Sequence, residues 1–141
     1  MKIAKEFRWE MGHRLPFHQG KCVNLHGHSY KMLVEVEGDL DKDGMVIDYY
    51  DLKAIINPIV EELDHAYLVW RDDTKLIEAL EMLNSKKVII DYHSTAENMC
   101  LYFLDKIQSA GLPKNVSKVK VRIYETEDDY AEEVISLKKQ V

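Results

Sequence analysis

The sequence predicts an α+β fold, an antiparallel sheet with its helices on one face. Two observations predict it. Strand-like stretches come in pairs toward either end of the chain, and helix-like stretches fill the middle, so the order runs ββα…αββ. Sequential strands tend to be neighbours in space, and directly connected neighbours run antiparallel. The 141 residues hold no internal repeat, low-complexity tract or Pro/Gly-rich linker, so residues 1–141 read as one domain.

The first strand covers residues 2–13, where Ile3, Phe7, Trp9 and Met11 share one parity, the period of a half-buried strand. His13 falls on the same parity at its far end. Residues 26–36 alternate again, with Tyr30, Met32, Val34 and Val36 on the face that His26 and His28 occupy. "GDLDKDG" is a turn-rich connection. Asp48 caps a helix that carries Leu52, Ile55, Ile56, Ile59 and Leu63 on one stripe. Pro58 lies inside that stripe, so the helix kinks there or restarts with Pro58 in its first turn. "DDTKLIEALEML" is a shorter helix and "KKVIID" a short strand. "STAENMCLYFLDKI" is a helix opened by Ser94 and Glu97 at capping-box spacing. "KVKVRIYE" and "AEEVISL" are the closing strands.

Composition narrows the function classes. With 46% hydrophobic and 31% charged residues the chain reads as globular rather than disordered. A net charge of -6 argues against nucleic acid as a general partner, although a local basic pocket can still hold a phosphorylated small molecule. The start, "MKIAKEFRWE", lacks the apolar core of a secretory signal, and no apolar run is long enough to span a bilayer. The expectation is a cytoplasmic protein, with Cys22 and Cys100 as free thiols.

The chemistry concentrates in "KCVNLHGHSY". His26 and His28, two apart on a strand, point to one face and can share a metal ion. His13 is the best third ligand by parity. Three neutral imidazoles suit zinc and keep a fourth position open. Cys22 either completes a closed structural site or, helped by Lys21, serves as a thiolate nucleophile or base; spacing does not choose. His18 reads as an exposed loop histidine. "LDHAYL" sets Asp64 beside His65, a carboxylate that suits acid–base work if the two side chains meet, or else a helix C-terminus with a favourable histidine. Glu125 follows Val119, Val121 and Ile123 on an inward parity, where a carboxylate is costly unless paired, and so suggests ligand recognition. Cys100 reads as core.

Together "FRWEMGHRL", "KCVNLHGHSY", "GMVIDYYDLK", "LDHAYL", "STAENM" and "VRIYET", in this order, resemble the 6-pyruvoyltetrahydropterin synthase family. That family includes the bacterial 6-carboxytetrahydropterin synthases of queuosine (7-deazaguanine) biosynthesis. The resemblance implies the T-fold: a four-stranded antiparallel sheet with two main helices on one side. Trimers close such sheets into a barrel, and two trimers stack as a homohexamer with sites at subunit interfaces. It also implies His13, His26 and His28 as zinc ligands and Cys22 as the catalytic base. Asp64 and His65 complete a triad from a neighbouring subunit, and Glu125 anchors the pterin with Thr95 and Glu97 nearby.

The implied activity is a zinc-dependent lyase acting on 7,8-dihydroneopterin triphosphate, without nicotinamide or flavin. Three residues separate Cys22 from His26, as in members that make 6-carboxy-5,6,7,8-tetrahydropterin with release of acetaldehyde and triphosphate. The alternatives are a 6-pyruvoyltetrahydropterin synthase and a non-catalytic zinc- or pterin-binding protein. Met11 and Gly12 stand where the family commonly has two alanines, and residues 70–92 match none of its motifs.

Overall fold

A computed structural model describes residues 1–137. Six strands form one sheet: β1 (Lys2–His13), β2 (His26–Gly38), β3 (Ala66–Trp70), β4 (Lys87–Ile90), β5 (Val116–Tyr124) and β6 (Tyr130–Ser136). Three helices accompany them: α1 (Tyr49–Leu63), α2 (Thr74–Met82) and α3 (Ala96–Ala110). The sheet order is β4-β3-β1-β2-β5-β6. Among its neighbours β1–β2, β2–β5 and β5–β6 are antiparallel, as expected from the ends of the chain. None of the helices among the described residues is long and apolar enough to cross a membrane.

The sheet is larger than the four strands expected. β3 runs parallel to β1, and β4 runs parallel to β3, extending the antiparallel core on one side. β3 lies in the stretch read only as a helix end. Its sequence, Ala-Tyr-Leu-Val-Trp, does not alternate because both of its faces are covered. Leu68 enters the main core, whereas the next residue, Val69, packs with Leu76 and Leu80 of α2. Consecutive strand residues point to opposite faces, so α2 covers the face opposite α1 and α3. The helices are therefore not all on one side.

The main core fills the space between the sheet and the pair α1 and α3. Met32, Val34, Val36, Val119, Val121 and Ile123 of the central strands are completely buried against Leu52, Ile56, Phe103 and Ile107. Each such side chain contributes roughly 1.5–3 kcal/mol. Asp48 caps α1 by accepting from the Tyr50 N–H at 2.7 Å, and the helix continues through Pro58 without restarting. The cap of α3 differs from the expected capping box: Thr95 Oγ1 accepts from the Asn98 N–H at 3.2 Å. Glu97 is thus the second helical residue, exposed and one position too early to reach back to the cap. This shift releases Ser94 for another task.

Candidate metal centre and active site

The β1–β2 register sets His13 opposite His26 and Met11 opposite His28. Alternation then places His13, His26 and His28 on one face. Their rings lie 4.6, 5.2 and 5.0 Å apart, and one nitrogen from each comes within 4.8 Å of the others. Backbone carbonyls fix two of the rings. His13 Nδ1 donates to the Ser94 carbonyl at 2.8 Å, with Ser94 Oγ also at 3.2 Å, and His26 Nδ1 donates to the Asn24 carbonyl at 2.7 Å. An imidazole whose Nδ1 proton is held this way presents Nε2 as a bare lone pair.

Burial disfavours the charged form of two of the three rings. It lowers His13 from 6.5 to about 4, and it lowers His28 against the opposing pull of Glu125. His26 Nε2 and His28 Nε2 are buried without a hydrogen-bond partner. A buried orphan acceptor is costly, and convergent neutral imidazoles are the donor set that a divalent zinc ion satisfies. The residues present fit that metal. Cys22 is outside the mutually close group, which consists of the three histidines alone among the described residues.

Glu125 stands one residue past β5 and faces the same cluster. Its Oε1 lies 3.4 Å from His13 Nε2 and 3.6 Å from His28 Nε2. With His13 held neutral the first contact is not an ion pair; it is a carboxylate lining the site. The Tyr30 hydroxyl, 3.5 Å from His13 Nε2, closes the buried side. Burial, then the Glu125 carboxylate, holds that phenol protonated far above its usual range.

Asp64 and His65 do meet. His65 Nδ1 is 2.9 Å from Asp64 Oδ1, and both residues dock on Glu10: its N–H donates to Asp64 Oδ1 at 2.9 Å, and its carbonyl accepts from the His65 N–H at 2.6 Å. The Glu10 amide first, and His65 second, hold the Asp64 carboxyl below its usual range. His65 borders an open cleft of about 390 Å³ lined also by Glu10, Gly12, Ser29 and Tyr67, which reaches His26 and His28. Glu10 and Ser29 alternate with Met11 and His28, so they stand on the other face of the sheet from the histidine rings. At Gly12 a Cβ would meet the Tyr67 ring at 2.6 Å, so a larger residue there needs that ring to move.

The remaining expected residues are placed as follows. Cys22 is half-buried in a single 3-10 turn, Lys21–Val23, between β1 and β2. His18 is exposed in the same loop, its Nδ1 accepting from the Gly20 N–H at 2.9 Å. Thr95 is committed to capping α3 beside Ser94, and the exposed Glu97 follows it. Cys100 is buried, as read, and its thiol donates to the Ala131 carbonyl. Sequence reasoning missed Ser94 as the residue that orients His13; only a shifted cap could have signalled it.

The profile of the family described as 6-pyruvoyl tetrahydropterin synthase matches residues 2–134 of this chain. The chain belongs to that family. It is accordingly an enzyme of the family's lyase class, working on a pterin. It is 36% identical to the 6-carboxy-5,6,7,8-tetrahydropterin synthase of Haemophilus influenzae, with 93% of this chain and 96% of that one covered. The enzyme of the same name from Aquifex aeolicus is 34% identical, with the same two coverages, 93% and 96%. The crystal structure of 6-pyruvoyl tetrahydropterin synthase from Plasmodium vivax superposes with a TM-score of 0.79. It covers 97% of this chain and 98% of that one at 20% identity, a likeness of fold.

Proposed function

We propose that the protein converts 7,8-dihydroneopterin triphosphate and one water to 6-carboxy-5,6,7,8-tetrahydropterin, acetaldehyde and triphosphate, as a step toward queuosine. The observation that carries this reading is the convergence of one ring nitrogen from each of His13, His26 and His28 beside the Glu125 carboxylate. The relatives named for the 6-carboxy product support the choice of product.

His13, His26 and His28 would hold zinc, which when bound would supply Lewis acidity toward the hydroxyls of the substrate side chain. The chain's own groups do the rest. Cys22, as the base, removes a side-chain proton, and His65, oriented by Asp64, returns protons during the internal tautomerisation. Glu125 accepts two hydrogen bonds from the pterin's amide N–H and amino group, orienting the ring, with Thr95 and Glu97 at the margin. The buried wall formed by Tyr30 limits water on that side. In this reading, as the family resemblance implies, the Asp64–His65 pair that serves a given histidine cluster comes from a neighbouring subunit of a homohexamer. Triphosphate leaves as the side chain is rearranged, and no external electron carrier takes part.

The test is incubation of the zinc-loaded protein with 7,8-dihydroneopterin triphosphate and identification of the product by mass. 6-Carboxytetrahydropterin with stoichiometric acetaldehyde supports the reading. 6-Pyruvoyltetrahydropterin assigns the other branch of the family, and unchanged substrate rejects the assignment of substrate.

A further inference from the structure

The segment between Trp70 and Tyr92 makes specific contacts with the loop that carries Cys22. Arg14, the residue after His13, grips Asp73 through both carboxylate oxygens, with Nε to Oδ2 at 2.7 Å. Asp73 is almost fully buried, and the guanidinium, foremost, holds its carboxyl below the usual range. Such planar, two-point, charge-assisted pairs are directional. Asp73 also accepts from the Leu76 N–H as the cap of α2, and its own N–H donates to the Trp70 carbonyl at 3.0 Å. Trp70 and Asp73 are thus the two ends of one tight turn at the exit of β3.

A second contact joins the same turn to the same loop. The Trp70 ring packs on His93 with centroids 4.2 Å apart, and the other neighbour of His93 is Phe17, at 4.5 Å. Phe17 is otherwise exposed, so the stack is what holds it in place. Between these two anchors Leu15 donates its N–H to the carbonyl of Cys22 at 2.8 Å. The turn bearing the thiol is therefore tied, through one residue, to a loop fastened on both sides.

We propose that the Arg14–Asp73 clamp and the Phe17–His93–Trp70 stack are positioning elements that hold the Cys22 thiol in its reactive place. The idea rests on Cys22 being the base. A bend of an ångström in that loop displaces the thiol from the carbon-bound proton it must reach, which lowers turnover without touching the metal ligands. Arg14 and Asp73 do not meet substrate in this picture.

The test uses Asp73→Asn, which keeps the helix cap but loses the charge, and Phe17→Ala at an exposed site. In each purified variant the rate of Cys22 alkylation by iodoacetamide is followed by peptide mass, with buried Cys100 as the unreactive control. The expected result is alkylation at least tenfold faster and kcat at least tenfold lower, with KM for 7,8-dihydroneopterin triphosphate within twofold and zinc content unchanged. Arg14→Lys, which keeps the charge but not the fork, falls between parent and Asp73→Asn. A purely structural role lowers Tm while leaving alkylation and kcat within twofold of the parent; that result in Asp73→Asn, or in Phe17→Ala where the first does not fold, overturns the proposal. Failure of the underlying reading is separate: Cys22→Ala with retained turnover removes the thiol from the mechanism, whereas the alkylation rates still report on the loop.

Discussion

His65 reaches the carboxylate of its own neighbour, Asp64, with Nδ1 2.9 Å from Oδ1, and its backbone φ is +60°. Side chains of adjacent residues in a regular strand point apart. The left-handed φ turns the imidazole back toward Asp64, and the two hydrogen bonds to Glu10 hold the chain in that conformation. A non-glycine residue at positive φ costs of order 1 kcal/mol and persists where surrounding contacts impose it, often at a functional site.

Asp64→Asn keeps an acceptor for the Glu10 amide and removes the charge beside His65 Nδ1. Turnover should fall by about 10²- to 10⁴-fold, the usual worth of a positioned acid–base group. Far-ultraviolet dichroism and zinc content should match the parent. A loss of turnover below threefold removes the pair from proton transfer.

One zinc per chain is expected, at about 2.0–2.1 Å from each of the three histidine nitrogens. Elemental analysis of His26→Ala should show its loss. Cys22→Ala should keep the metal and lose turnover, because the thiol is outside the histidine group. Metal lost with Cys22, or a Cys22 sulfur found bonded to zinc, would instead make the site structural.

Metal-free protein should be destabilised by mild acid in a window that His13 sets. Burial lowers His13 from 6.5 to about 4, so between those values the unfolded chain binds a proton that the folded chain does not. Stability is therefore full above pH ~6.5 and is lost as the pH falls toward about 4, by up to roughly 3 kcal/mol. Urea unfolding at a series of pH values measures it, and His13→Gln should flatten the slope in that window. An equal slope in the variant places the dependence on other groups.

Much of this was readable in the sequence, and the parts that were not share a cause. β1 and β2 each bury one face, so Trp9, Met11 and His13 on one, and His26, His28 and Tyr30 on the other, showed by parity both the strands and the clustering of the three histidines. β3 buries Leu68 and Val69 on opposite faces and so has no period to read. Ser94 was hidden because a serine three residues before a glutamate is also a valid cap, and only the tertiary contact with His13 shows which role it has. The meeting of Asp64 with His65 depends on a backbone angle that no residue pattern announces.

Sheet edges argue for assembly. β4 and β6 are the outer strands of the sheet, and unpaired edges are removed most simply by pairing with copies. Sedimentation should show a hexamer, or at least a trimer. Mixing a Cys22→Ala chain with an Asp64→Asn chain should restore part of the turnover, since a shared site then combines one intact half from each. A fully active monomer would end the shared-site picture.

The final expectation concerns Glu125, whose Oε1 already faces Nε2 of His13 and of His28. A pterin presents its amide N–H and amino group as two donors on one edge, and a carboxylate matches them with two acceptors. Such charge-assisted bonds are stronger than neutral ones. Glu125→Gln keeps the shape but turns one acceptor into a donor, so N–H faces N–H. Affinity for a pterin product, measured by calorimetry, should fall by roughly 2–3 kcal/mol, the range for losing a charged hydrogen-bond partner. Zinc content should not change, because the three histidines remain. The second outcome separates two roles for the same carboxylate: weaker zinc binding in Glu125→Gln would make it a partner of the metal, whereas weaker pterin binding at full zinc occupancy makes it the anchor of the ring.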